Sequence, residues 1–342
     1  MKVGIVGLGK MGLLHTGILN SFDKIQITSI AEKENLLTKY IKNAIPSANV
    51  YGDYNKMIET EDLDLVYITT PSFTHLPIIQ SCIKKGNDFF VEKPLTTNLN
   101  EAKKVFKDLK NKNIIHAVGY NVRFVDTFFK AKSLLEMKIL GEIYDIKSSM
   151  FASKIFSKPS GWRYIKKMSG GGVLLEFGSH LIDLLLWYFG SIQRVNGKTQ
   201  ELYTEVEDTA HMNMEFSNTI KGTLDISWSI QGYRIPEINI EIKGDNGYMR
   251  INQDFIDIKL KKNIPEFPNT ESRIYKQSLN SGVHFDVGGP EYTKEDIHVI
   301  ECVRKRKLPL VNTFEACKTQ SVIQAMYEAA SSDEPKEVEY IN

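Results

Sequence analysis

A primary amine and an imidazole are suited to exchanging protons with a substrate, and this chain presents one of each in a marked setting. Lys93 closes the run Asp88-Phe-Phe-Val-Glu-Lys-Pro94, where proline stops a buried strand and starts a loop. Glu92 and Lys93 then emerge at the carboxyl end of that strand. A lysine there is ordinarily just solvated; beside a ligand it can hold a substrate oxygen or exchange a proton with it. His180 stands in Gly170-Gly-Gly-Val-Leu-Leu-Glu176-Phe-Gly-Ser-His180-Leu-Ile-Asp183-Leu-Leu-Leu-Trp187. At about 100° per residue, Glu176, His180, Asp183 and Trp187 share a stripe about 60° wide on an otherwise apolar helix. Burying two acids and an imidazole costs several kcal/mol unless they pair or line a wet pocket. One account is a satisfied buried hydrogen-bond cluster. The other is a stripe facing a ligand crevice, ready for proton transfer, after a triple glycine that lets the backbone come close to something. Three aligned polar residues favour the second. Trp162-Arg163, just upstream, adds an aromatic plate and a fixed cation suited to a cofactor contact.

A second constellation opens the chain. Val3, Ile5 and Val6 form a short β-branched run, followed by Gly7-x-Gly9-x-x-Gly12 and then Leu13, Leu14, Ile18 and Leu19 at helical spacing. Gly7 allows the tight turn, Gly9 lets the backbone approach a pyrophosphate, and Gly12 lets the helix pack close to the strand. Leu8, Lys10 and Met11 complete the loop, and the helix start directs unpaired N–H groups at the phosphates. Glu32 ends the next apolar run, Ile25–Ile30, about twenty residues beyond Gly12, where a carboxylate accepts from ribose hydroxyls and repels a 2′-phosphate. Glycine triplets also occur by chance in loops. Strand before, helix after and acid at the right distance together point to a dinucleotide site.

The elements that must position these groups alternate. Strands are expected near Val50, Leu63–Thr69, Asp88–Val91 and Ile114–Val118, with helices over about 34–43, 76–85 and 98–110. That alternation predicts a doubly wound parallel sheet, a Rossmann fold, over residues 1–121. Loops at its carboxyl edge line the crevice, which places Thr70, Pro71 and His75 beside a cofactor. Beyond Arg123 a helix over about 126–137 gives way to strands near 142–152, 191–198, 209–216, 219–229, 237–243, 247–251 and 255–260. Residues 122–342 are therefore expected to form an α+β domain on a mostly antiparallel open sheet. Its last two helices, around Pro309, are free to pack back on the first domain. Arg304-Lys-Arg-Lys307 reads as a solvated helix end.

Composition narrows the classes. A formal net charge of +1, with acids and bases interspersed, argues against nucleic acid or a membrane surface as partner. The most apolar stretch, Leu184–Phe189, is far short of a bilayer span, and a strand at the N-terminus leaves no room for a signal peptide. Cys82, Cys302 and Cys317 lie far apart and read as thiols in a reducing cytoplasm, with no metal-ligand spacing.

On these residues the chain resembles the Gfo/Idh/MocA oxidoreductase family over nearly its whole length. The resemblance rests on Gly7-x-Gly9-x-x-Gly12, Glu32, Thr70-Pro71 with His75, Glu92-Lys93-Pro94, Arg123-Phe124, Trp162-Arg163, the triple glycine, His180 and Asp183. It implies that Lys93 and His180 are the catalytic pair, assisted by an aspartate one helical turn before the histidine. Glu176 stands there instead, one methylene longer. It further implies reversible oxidation of a secondary alcohol on a sugar, inositol or related polyol by NAD, with NADP admissible through Lys33. Tyr120, Asn121, Arg123 and His284 are the candidates for substrate contacts. The alternatives are a nucleotide-sugar dehydrogenase, an aldose or imine reductase of the same fold, and a non-catalytic NAD(P)-binding sensor. The open sheet face needs cover, so a homodimer or homotetramer is expected.

Overall fold

Six short strands, most of them rich in Val, Ile and Phe, pair in parallel. They are β1 (Lys2–Val6), β2 (Gln26–Ala31), β3 (Asn49–Tyr51), β4 (Leu65–Ile68), β5 (Asp88–Glu92) and β6 (His116–Gly119). In this computed structural model, which describes residues 1–265, 267, 270–279 and 282–341 apart from the Asn35 side chain, they lie in the order β3-β2-β1-β4-β5-β6. Every residue of β4, β5 and β6 is buried, as a sheet covered on both faces requires. The crossovers are α1 (Lys10–Asn20), α2 (Asn35–Ala44), α3 (Tyr54–Thr60), α4 (His75–Lys85) and α5 (Leu99–Leu109). Asn98 caps α5 by accepting from Glu101 N at 3.0 Å, and Gly86, at φ +86°, ends α4. Strand order reverses between β1 and β4, and the carboxyl ends of β1, β4, β5 and β6 share one edge. That edge is where ligands of such sheets bind.

The chain then continues through α6 (Asp126–Glu136), β7 (Ile143–Phe151), α7 (Lys166–Ser169), a π-helical turn (Leu174–Gly178) and α8 (Ser179–Phe189). Next come β8 (Ile192–Gln200), β9 (Thr209–Phe216), β10 (Lys221–Ser227), β11 (Glu237–Gly244), β12 (Gly247–Ile251), β13 (Phe255–Leu260), β14 (Glu271–Tyr275) and α9 (Lys276–Leu279). The chain closes with α10 (Pro290–Lys305), α11 (Thr313–Ser332) and β15 (Lys336–Glu337). The second sheet runs β14-β13-β12-β11-β7-β10-β9-β8-β15, antiparallel except for β7 beside β10. Strands such as β9 and β11 alternate buried with accessible residues, so one face packs on a core that includes Phe128, Leu181, Leu185, Leu224, Ile240 and Met326. The other face is polar and carries pairs such as His211–Asp225 and Lys243–Asp145.

Two compact units result: Met1–Asn121 with Gly282–Cys317, and Val122–Ser281 with Lys318–Asn342. The expected second domain of 122–342 therefore loses α10 to the first unit. The cause is an apolar stripe on α10, Val299, Ile300 and Val303, which joins the core built by Val3, Ile5 and Leu19. A further correction concerns membranes. Lys166–Phe189 forms a helical run of 24 residues, long and apolar enough to cross a bilayer by length and composition, where the sequence suggested only a short stretch. Its most apolar window is 78% buried, as in a core helix. All three cysteines are buried free thiols; burial pushes that of Cys317 up to about 12.

Candidate functional site

The glycines of the first loop are there for different reasons. Gly7 has φ +93°, and a Cβ on it would lie 2.7 Å from the Thr70 side chain. A Cβ on Gly12 would lie 2.1 Å from the Gly7 carbonyl oxygen. Gly9 alone faces open space, with nothing within 4 Å of where its Cβ would be. It is the N-cap of α1, no side chain fills the cap, and no acid lies in the first turn. The free N–H groups and the positive end of α1 therefore face the open space at Gly9. Glu32, just past β2, is tied to the same loop: its carboxylate accepts from Leu8 N at 2.6 Å, Lys33 N at 2.7 Å and Glu34 N at 2.9 Å. These residues fit a dinucleotide, with Lys10 exposed at the helix start and Met11 partly buried beside it.

His75 is enclosed within the first unit. It is 1% exposed, with Nε2 2.9 Å from the Thr70 carbonyl oxygen and Nδ1 3.0 and 3.2 Å from those of Pro94 and Leu95. Burial lowers its pKa, and the ring sits between the Thr70–Pro71 loop and the segment after Lys93. Glu92 also turns inward. Its Oε1 lies 3.1 Å from His15 Nε2 and its Oε2 accepts the Lys93 N–H at 3.2 Å, which leaves Lys93 as the more accessible of the two. Tyr120 is fully buried. Asn121 hydrogen-bonds to Tyr292 of α10. His284 sits 3.0 Å from Ser21 Oγ and against Phe22, at the C-terminal end of α1. An eleven-residue helix is about 16 Å long, so His284 is far from the glycine loop.

In the second unit the polar stripe is divided between two groups. Arg123 clasps Asp183 with two hydrogen bonds, Nε to Oδ2 at 2.6 Å and Nη2 to Oδ1 at 2.7 Å, and lies 5.3 Å from the Trp187 ring. Arg123 is 2% exposed and Asp183 1%, so the arginine expected on the substrate is engaged inside the fold. Glu176 falls in the π-helical turn, whose wider spacing breaks the constant 100° advance assumed for the stripe. It lies 3.6 Å from Arg163, which in turn covers the Trp162 ring at 4.6 Å. His180 follows in the first turn of α8, 8% exposed. The triple glycine makes its close approach to this chain's own groups. A Cβ on Gly171 would lie 2.0 Å from the Tyr327 hydroxyl oxygen, and one on Gly172 2.2 Å from the Glu207 carbonyl oxygen. Buried Glu207 accepts from Gly172 N at 2.9 Å, Leu174 N at 3.0 Å and the Tyr327 hydroxyl at 2.7 Å, anchoring the start of the helical run.

His15, Asp296 and Glu207 belong to no motif that marks them in the sequence. His15 lies on the same face of α1 as Ile18 and Leu19, and a histidine on a buried face requires a partner. That signal was present, but nothing local names Asp296 as the partner.

The family model described as "Oxidoreductase family, NAD-binding Rossmann fold" matches residues 1–120, and the "GFO/IDH/MocA C-terminal domain" matches 128–250. The scyllo-inositol 2-dehydrogenase (NADP(+)) of Bacillus subtilis (strain 168) is 24% identical over 96% of this chain and 94% of its own. The myo-inositol 2-dehydrogenase of Thermotoga maritima is 26% identical over 72% of this chain and 74% of its own. Among solved structures, a levoglucosan dehydrogenase in complex with NADH superposes with a TM-score of 0.89 at 21% identity, covering 100% of both chains. With its glycine loop and two matched domains, the chain belongs to the GFO/IDH/MocA oxidoreductase family, an enzyme with an NAD-binding Rossmann domain among sugar and polyol dehydrogenases.

Proposed function

We propose that the protein catalyses reversible oxidation of a secondary alcohol on a sugar, inositol or related polyol, with Lys93 and His180 as the catalytic pair. The observation that carries this reading is Lys93 at the carboxyl end of β5, on the sheet edge that also presents Gly9 and the open start of α1. An alcohol releases hydride readily only as it loses its proton. His180 is the general base, since imidazole titrates near neutral pH. Lys93 donates to the hydroxyl oxygen and stabilises negative charge as it develops there. The Arg123–Asp183 clasp fixes the helix carrying His180, and Glu176 with Arg163 and Trp162 lines the approach. Gly7 to Gly12 hold the pyrophosphate and Glu32 the adenosine ribose; the nicotinamide, when bound, supplies hydride acceptance.

The test is an absorbance assay of reduced cofactor across inositols, sugars and sugar phosphates, each with NAD and NADP. Turnover of at least one polyol class is expected, with NAD favoured about tenfold or more because Glu32 repels a 2′-phosphate. Tight NADH binding without turnover of any of them would instead make the protein a cofactor-binding sensor. The proposal includes self-association through the open face of the second sheet. Light scattering is expected to give a dimer or tetramer mass, and a single-chain mass at micromolar concentration would refute this.

A further inference from the structure

The first unit buries an ionic chain that the chemistry above does not use. His15 is wholly inaccessible, yet both of its ring nitrogens face carboxylates. Nδ1 lies 3.0 Å from each oxygen of Asp296 on α10, and Nε2 lies 3.1 Å from Glu92 Oε1 at the end of β5. The Tyr67 hydroxyl of β4 donates to Asp296 Oδ1 at 3.0 Å. The far oxygen of Glu92 accepts the backbone N–H of Lys93 at 3.2 Å. Other groups around the imidazole are the rings of Tyr67 and Phe90, at 5.5 and 4.9 Å, and the edge of Tyr292 at 6.3 Å. Glu295, on α10, is buried and acts electrostatically on Tyr67 and Tyr292.

We propose that His15 is a positioning residue for Lys93. Clamped between two carboxylates, it keeps the Glu92 carboxylate aimed at the Lys93 peptide, and so fixes where the amine leaves the strand. This rests on the reading of Lys93 as catalytic. A fold that needed only to fill this space would use an apolar side chain, because burying three ionisable groups is costly unless each is paired. Burial opposes charge on the imidazole, but Asp296 and Glu92 outweigh it and hold its pKa well above the ordinary range. The ends of the clamp come from β5 and α10, with α1 between them. The glycine loop that opens α1 and the lysine that closes β5 thereby share one buried joint.

The experiment uses the full chain and His15→Gln, whose amide keeps the volume and one hydrogen bond but no charge. Glu92 then lacks its cation in a buried place and takes up a proton at higher pH. With the polyol and pH range used for the wild type, kcat is expected to fall about 10- to 100-fold, with KM and the NADH Kd within threefold. A new loss of activity is expected on the acidic side of the pH profile, and it should vanish in His15→Gln/Glu92→Gln. An unchanged kcat and pH profile, with only a lower thermal midpoint, would overturn the proposal. If His15→Gln does not fold, Glu92→Gln decides. It keeps the shape and the hydrogen bond to His15, and the same kcat loss is expected, while wild-type kcat would overturn the inference. Reagent acetylation of Lys93, followed against pH by mass spectrometry, separates the two readings. A rate altered by His15→Gln supports positioning even if Lys93→Met proves fully active, whereas an unaltered rate counts against positioning whatever Lys93 does.

Discussion

Lys93→Met is expected to reduce turnover by roughly 10²- to 10⁴-fold while leaving the NADH Kd within about threefold. Methionine matches the length and much of the apolar stem of lysine, so the carboxyl end of β5 should keep its packing. What the proposed chemistry loses is the donor that stabilises charge on the substrate oxygen as its proton leaves, a contribution of about 3–5 kcal/mol to the barrier at that fold-change. The proposed cofactor site lies at other residues: the open face at Gly9, the uncapped start of α1 and the Glu32 carboxylate. The two readouts should therefore part. Steady-state kinetics gives kcat, and NADH fluorescence titration gives Kd. Wild-type turnover in this variant would remove Lys93 from the chemistry and leave a nucleotide-binding fold without an assigned donor.

The largest effect on stability is expected from Arg123→Met. The guanidinium contributes two short hydrogen bonds to Asp183, at 2.6 and 2.7 Å, and both partners are almost wholly buried. Removing it strips Asp183 of its bidentate cation inside a helix core, which typically costs about 3–5 kcal/mol. The deficit should depend on pH with a definite sign. A buried carboxylate without its cation has a raised folded-state pKa, so the variant binds more protons folded than unfolded. Its stability relative to wild type should therefore improve as pH falls from neutrality toward the ordinary aspartate value of about 3.9. Urea denaturation at pH 7.5 and 5.0 measures both. Arg123→Met/Asp183→Leu should recover much of the loss, because replacing a buried pair together removes the stranded charge. A single variant as stable as wild type at pH 7.5 would show that the clasp contributes little to folding.

Much of this was legible in residue order because the signals are local. Gly7-x-Gly9-x-x-Gly12 between a β-branched run and a helical pattern forces one turn, and the positive φ of Gly7 with the tight packing of Gly12 is what that spacing demanded. The alternation of strands and helices up to Gly119, and of accessible with buried residues along β9 and β11, followed from the periods of each element. The short α3 escaped because it buries only Met57 and Ile58, too few for a helical stripe to register. Edge strand β14 escaped because neither of its faces is fully buried.

Partnership was decided only in three dimensions. A helical wheel aligns Glu176 with Asp183, but the π-helical turn and the choice of Arg163 for one and Arg123 for the other depend on packing elsewhere. The triple glycine announces close contact without saying that Glu207 and Tyr327 make it. His75 reads as a loop residue, and only the fold sets its ring among three carbonyl oxygens from two segments. His15 waits 281 residues for Asp296. Backbone conformation follows from near neighbours in the chain. The ionisation and direction of a buried side chain follow from whichever distant group desolvation compels it to meet.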